Sequence, residues 1–242
     1  MAVATAQQVD GGDPLLRVLA DAETSVRRQR GDRPGRAEWP AEGMLPPLPA
    51  GRVVQAGVRC DFVDMRRAFV SLGRDELSGY VRLSSEGVHA AAMLSAGGVV
   101  AAVYEEAGAV LAGTEAFARM RRVVDSGQGM LEIVQLPEVV LGATRQMLVG
   151  PPVYQQLSGR FLRGAEFVDF MSEQTLTGGI QVRSGGRQGV VLLHDGVIGA
   201  YTSRSPKPAA ALDEVMELFS DPTCEVSVNG GPVGATLPLM IL

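Results

Sequence analysis

The stretch Leu176 to Thr202, LTGGIQVRSGGRQGVVLLHDGVIGAYT, lies without a gap over Leu77 to Val103, LSGYVRLSSEGVHAAAMLSAGGVVAAV, at a constant shift of 99 residues. Seven of the 27 pairs are identical: Leu77/Leu176, Gly79/Gly178, Ser85/Ser184, Gly87/Gly186, Leu94/Leu193, Gly97/Gly196 and Ala101/Ala200. Glycine marks close backbone approach or positive φ, so matched glycines at three turn-like places imply one backbone path used twice. The shift extends backwards through Phe62/Phe161, Phe69/Val168 and Leu72/Met171, then falls to 95, pairing Phe117 with Leu212, Met120 with Val215, Leu131 with Val226 and Ile133 with Val228. Copy two is therefore four residues shorter in the connection before its last helix.

Periodicity assigns the elements of each copy. Apolar residues at helical spacing over Val63 to Gly73 and Glu166 to Ser172 predict an opening helix. Three strands follow: Gly79 to Leu83 and Gly178 to Val182, Val88 to Leu94 and Gly189 to Leu193, Val99 to Val103 and Val197 to Tyr201. Their turns, Ser85-Glu86-Gly87 with Gly185-Gly186-Arg187 and Ala96-Gly97-Gly98 with Asp195-Gly196, are hairpin chemistry, which makes the sheet antiparallel. Gly97, Asp195 and Gly196 are read as structural turn residues. A second helix, Gly113 to Val124 and Pro208 to Phe219, and a closing strand, Met130 to Val134 and Glu225 to Val228, complete each copy. The expected fold is α+β: two tandem modules of helix, three-stranded antiparallel sheet, helix and strand, each of about 75 residues.

Outside the copies, Asp13-Pro14 reads as an N-cap with a first-turn proline, and Leu15, Leu19, Ala22 and Val26 form the apolar stripe of a short helix that Gly31 can end. Gly31 to Gly51 holds five prolines and the only tryptophan, Trp39, and reads as a linker. The chain thus divides into an N-terminal extension, 1–50, with a helix at about 14–30; a first module, 51–136; a connecting helix and linker, 137–152; and a second module, 153–242.

Composition narrows the function classes. The 242 residues carry 22 Lys plus Arg against 27 Asp plus Glu, a net charge of −5, so the surface as a whole has no attraction for nucleic acid or an anionic membrane. Hydrophobic residues at 46% and charged residues at 20% exclude wholesale disorder and a collagen or disulfide scaffold. The uncharged run Val88 to Tyr104 is 17 residues long, but Gly97-Gly98 in its middle makes it a buried hairpin, not a membrane span. No secretory leader is visible, so a cytoplasmic location is expected. Lys207 is the only lysine, a skew expected of a high-GC bacterial genome.

The order helix, Leu-(Ser/Thr)-Gly, strand, hairpin, apolar strand, Gly, Val/Ile and helix resembles the PATAN-type bacterial signalling domain. Leu176-Thr177-Gly178 resembles that family's Thr-Gly strand start, and Val190 to Ala200, VVLLHDGVIGA, its apolar stretch with Asp-Gly at the turn. The resemblance covers residues 62–135 and 160–229, and copy one departs from it by Ala96-Gly97-Gly98 at the turn. Roadblock-like regulators of small GTPases are a weaker match. The resemblance implies a non-catalytic module working beside other signalling proteins.

Few side chains offer catalytic chemistry. Of the two histidines, His89 begins an apolar strand and has Gln188 as its counterpart, which assigns it a solvated strand end. His194 directly precedes Asp195, and neighbours on a strand point to opposite faces. Cys60 and Cys224 have no second Cys or His at ligand spacing and are expected to be buried, so no metal or cofactor is anticipated. A P-loop is absent, and Ser184-Gly185-Gly186-Arg187-Gln188-Gly189 joins two strands instead of opening a helix. The basic cluster Arg27, Arg28, Arg30, Arg33 and Arg36 offers guanidinium forks to a partner or an anion. Copy one places Arg66, Arg67, Arg119, Arg121 and Arg122 on its helices, where copy two has Glu166, Glu214 and Glu217. The expectation is a non-enzymatic scaffold with a protein partner or a homodimer contact. The alternatives are a nucleotide or anion sensor using the Arg-rich segment or the inter-module groove, and an enzyme relying on carboxylates such as Asp169 and Asp195.

Overall fold

Two-faced burial explains the long apolar runs of each repeat. Strands covered on both faces read as continuous hydrophobic stretches, and Val88–Ser95 and Arg187–His194 are buried along almost their whole length. The structure, a computed structural model, describes residues 44–203 and 208–232, with side chains of the last helix described from 211 onward. The Trp39 linker, the helix expected at 14–30 and Lys207 lie outside the described residues. Both repeats fall within one unit, Pro34–Leu242.

Copy one runs β1 (Arg52–Arg59), a 3₁₀ turn (Cys60–Phe62), α1 (Met65–Arg74), β2 (Gly79–Ser85), β3 (Val88–Ser95), β4 (Gly98–Glu106), β5 (Ala109–Ala112), α2 (Gly113–Asp125) and β6 (Met130–Gln135). The connecting α3 (Glu138–Val149) leads to copy two: β7 (Pro152–Ser158), a 3₁₀ turn (Gly159–Phe161), α4 (Gly164–Ser172), β8 (Leu176–Ser184), β9 (Arg187–His194), β10 (Val197–Thr202), α5 (Pro208–Phe219) and β11 (Glu225–Pro232). The α+β class and the antiparallel hairpins are as the sequence predicts. The sheets, however, are larger than three strands: six in the order β1-β6-β2-β3-β4-β5 and five in the order β10-β9-β8-β11-β7. Read from the other end, the second order is the first without β5. Each closing strand, β6 or β11, inserts between the opening strand and the hairpin, antiparallel to both neighbours. The four-residue difference in length falls within the stretch between β4 and α2 that holds β5, Ala109–Ala112, in copy one.

The matched glycines have the expected causes. A side chain at Gly79 would collide with the carbonyl of Val134 on β6, and one at Gly178 with the carbonyl of Asn229 on β11, so each admits the inserted strand. At the second hairpin, Ala96 and Gly97 take φ of 45° and 78°, and Asp195 and Gly196 take 51° and 121°. Both copies therefore make a turn with two positive φ values, although only one uses Asp-Gly. Ser78 Oγ accepts from the Ala96 N–H at 3.0 Å, fastening the less favourable residue.

Three apolar clusters define five layers. α1 and α2 pack on one face of the first sheet around Val81, Leu83, Met120 and Leu131. α4 and α5 pack on one face of the second sheet around Met171, Ile180, Val215 and Val226. Between the sheets lies α3, whose Val140, Leu141, Ala143 and Met147 meet Tyr80, Met93 and Val134 on one side and Val190, Leu192 and Tyr201 on the other. The inter-module space is thus filled, not an open groove. Beside α3, Leu45 is buried against Ala91 and Val103, and the Tyr80 hydroxyl donates to the Pro49 carbonyl at 3.0 Å.

The cysteines show how the copies diverged without losing this packing. Cys60 in the first 3₁₀ turn donates its N–H to the Gly129 carbonyl at 3.1 Å, and Gly159 in the second donates to the Cys224 carbonyl at 2.8 Å. Gly159 stands where Cys60 does at the shift of 99, and Cys224 where Gly129 does at the shift of 95. Cysteine and glycine thus exchange places across the same backbone hydrogen bond in the two copies. A Cβ at Gly159 would collide with the Cys224 sulfur and come within 3.0 Å of the Asp221 carbonyl. Gly159→Ala is expected to destabilise by about 1–3 kcal/mol through overpacking, and Cys224→Ala in the same chain to recover at least about 0.5 kcal/mol by coupling, read by urea unfolding of the four proteins of the cycle.

Candidate interaction surfaces

The repeat places one feature on the outside twice. Phe62 ends the first 3₁₀ turn and is 78% exposed, and Phe161 ends the second and is 81% exposed. A lone exposed apolar side chain is ordinary on a folded surface, so it is the repetition of this exposure that carries information. Each turn is closed in the same way, Val63 N–H to Cys60 O and Leu162 N–H to Gly159 O, both at 3.0 Å. Each ring lies under a guanidinium, Arg59 over Phe62 at 5.5 Å and Arg160 over Phe161 at 5.4 Å. Arg59 is also held by Asp61 at 2.7 Å. The two corners thus offer a flat apolar ring beside a positive charge, a combination that suits an aromatic or acidic side chain of a partner. The pairing Phe62/Phe161 is visible in the sequence, but its exposure is not, because a repeated phenylalanine ordinarily marks core.

The outer helix layers carry opposite charge. α1 bears Arg66, Arg67 and Arg74 and no acid, and α2 bears Arg119, Arg121 and Arg122 against Glu115 and Asp125. α4 bears Glu166 and Asp169, and α5 bears Asp213, Glu214 and Glu217, with no base on either. Several of these charges are tied up locally: Arg67 with Asp64 at 3.3 Å, Arg119 with Glu115 at 4.0 Å, Arg121 with Asp125 at 3.4 Å and Glu217 with Arg187 at 3.1 Å. Arg66, Arg74 and Arg122 on one layer, and Asp169 and Asp213 on the other, form no ion pair among the described residues.

A third polar region is internal. On the face of the first sheet that looks towards α3, Arg82 on β2 pairs with Glu132 on β6 directly across the ladder, with the two side chains 9% and 3% exposed. On the same face His89 stands opposite Glu105, and Ser84 lies 3.4 Å from His89 Nδ1. Burial pushes the His89 imidazole below its ordinary value, with Glu105 acting against that shift and Arg82 adding to it. Glu105 accepts the N–H groups of Met44 and Leu45 at 2.7 and 2.9 Å, while Arg183 of the second sheet donates to the Met44 carbonyl. One residue from each sheet thus clamps the entering chain.

His89 is accordingly half-buried and paired with the Ser84 hydroxyl instead of solvated at a strand end. His194 lies 3.0 Å from the Thr177 hydroxyl across the β8–β9 ladder, and Asp195 is exposed in the adjoining turn. Asp169 is exposed on α4, in a different element from Asp195. Cys60 and Cys224 are both buried and free. Arg27, Arg28, Arg30, Arg33 and Arg36 lie outside the described residues. Among the described residues no helix is long and apolar enough to cross a membrane.

A family model described as an uncharacterized protein conserved in archaea (DUF2226) matches residues 47–141, which takes in the first module and the start of α3. Neither a curated protein nor a solved structure matches the chain. The matched family corrects both the PATAN-type resemblance and the bacterial source read from the lysine deficit. The motifs behind that resemblance are demands of the fold. Gly178 admits β11, and a turn with two positive φ values like that of Asp195-Gly196 is also made by Ala96-Gly97.

Two measurements probe the buried groups. Arg82→Met should cost about 3–5 kcal/mol by leaving Glu132 buried without its neutralising charge, whereas Arg82→Met with Glu132→Leu should recover most of that loss in urea unfolding. Burial, with the Asp61 carboxylate adding to it, pushes the Cys60 thiol from 9.0 to about 11. Between those values the folded chain keeps a proton that the unfolded chain releases, so this group's contribution to stability falls as pH rises through that window. A disulfide reagent at pH 8 should leave the native thiol unmodified and label it promptly after unfolding.

Proposed function

We propose that the protein is a non-enzymatic cytoplasmic scaffold that binds protein partners through the corners at Phe62 and Phe161. The observation that carries this reading is the duplication of an exposed ring, 78% and 81% accessible, at the same backbone position of both copies. A single exposed phenylalanine is ordinary for a folded surface, and two related by an internal repeat are a bivalent arrangement. Bivalency multiplies affinity without a new contact, provided that one partner reaches both corners or is itself repeated.

The experiment is an affinity capture from the source organism's cell extract, using full-length protein and Phe62→Ser, Phe161→Ser and doubly substituted forms. Because the rings are solvent-exposed, the melting temperature should move little in any of them. Each single substitution should weaken the captured partner by roughly thirtyfold, the size of a central aromatic anchor, and the double substitution should abolish capture. Equal capture by wild type and the double variant would overturn the reading.

A further inference from the structure

We propose that the basic helix layer of one copy of this chain docks on the acidic helix layer of the next, giving head-to-tail assembly. This goes beyond the scaffold reading and uses other residues. In the layer order, α1 and α2 cover the first sheet, α3 lies between the sheets, and α4 and α5 cover the second sheet, so the charged layers face away from each other. The two layers therefore cannot neutralise each other within one chain. Basic against basic would juxtapose like charges, which excludes a symmetric pairing of either layer with itself. Basic against acidic leaves one layer of each sign open at the ends, the heterologous contact that propagates into a chain of copies or closes into a ring.

Each layer also has the anatomy of an interface, with apolar surface inside a polar rim. Val70 is 50% exposed on α1, within a shallow hollow lined by Arg66, Arg67 and Arg74 together with Asp64, which pairs with Arg67. Opposite in sign, Phe170 is 48% exposed on α4 between Asp169 and Glu173, and Leu212 is 36% exposed on α5 next to Asp213. Among the described residues, Arg66, Arg74 and Arg122 meet no carboxylate of their own chain, and Asp169, Glu173 and Asp213 meet no base.

Sedimentation velocity of the full chain tests this. At an ionic strength of about 0.05 M the average mass should rise with concentration, and at about 0.5 M it should return to the monomer as screening shortens the reach of the charges. The variant Arg66→Glu/Arg74→Glu/Arg122→Glu, acidic on both layers, and the variant Asp169→Arg/Glu173→Arg/Asp213→Arg, whose second layer loses its negative excess, should each lose association by more than about a hundredfold. An equimolar mixture of the two should assemble again, which misfolded chains could not do. Arg66→Ala/Arg74→Ala/Arg122→Ala, a milder change, should weaken assembly and flatten its salt dependence. A wild type that stays monomeric at low salt, assembly that persists in either reversed variant, or folded variants that stay monomeric when mixed would each overturn the proposal. Loss of self-assembly with partner capture intact would leave the Phe62 and Phe161 corners standing, and the converse would leave the assembly standing.

Discussion

Burial of α3 on both sides is the constraint from which the rest of the architecture follows. A helix flanked by two sheets has no solvent side along most of its length, and Glu138–Val149 accordingly buries Val140, Leu141, Ala143, Thr144, Gln146 and Met147. Its close seat on the second sheet depends on Gly179, where a Cβ would come within 2.9 Å of Met147 Cγ. Because α3 and the entering residues around Leu45 consume the inner faces of both sheets, only the outer faces are left for the amphipathic helices of each copy. The surface of the described chain is therefore composed of helix layers, strand edges and the two 3₁₀ corners. The electrostatics of those layers is the sum of what each copy places on its own pair of helices.

Much of this arrangement is legible in the sequence, and the part that is not has a common cause. The hairpins β2–β3–β4 and β8–β9–β10 announce themselves because both faces are buried and the turns demand glycine. α2 and α5 announce themselves by an apolar stripe at helical spacing. β1 and β7 do not, since as edge strands they face water on much of both sides and read RVVQAGVR and PVYQQLS, without alternation. β5 is hidden likewise, being four residues of a short edge hairpin. The insertion of β6 and β11 beside those edges is a pairing between residues far apart in the chain, such as Arg52 with Gln135, which no local pattern encodes.

The candidate surfaces divide along the same line. Helix charge is local information, so the contrast between Arg66, Arg67 and Arg122 on one copy and Glu166, Glu214 and Glu217 on the other is readable from the order of residues alone. That the layers oppose each other across α3 is not readable, because it depends on how two sheets share one helix. The exposure of Phe62 and Phe161 is hidden for a related reason. Neighbours such as Val63 and Leu162 pack inward on the same short turn, and only the turn geometry decides which ring is left outside.

The two copies hold some features in common and invert others, and the inversions separate structure from use. At the 3₁₀ corners the copies exchange residues across one backbone hydrogen bond: Cys60 with Gly129 in the first, Gly159 with Cys224 in the second. Where backbone conformation sets the requirement, they substitute freely, Ala96-Gly97 for Asp195-Gly196. The helix charges follow neither rule, since exposed positions on helices constrain neither packing nor φ, and surface ion pairs are worth little to stability. Folding alone would let such positions drift to a mixture of signs on both copies. One copy instead carries an excess of arginine on α1 and α2, with Glu115 and Asp125 among them, and the other carries carboxylates alone on α4 and α5, so the two outer layers present different charge to solvent. The repeat thus supplies two matching corners and two opposed layers, and it is the opposed layers that distinguish one end of the stack from the other.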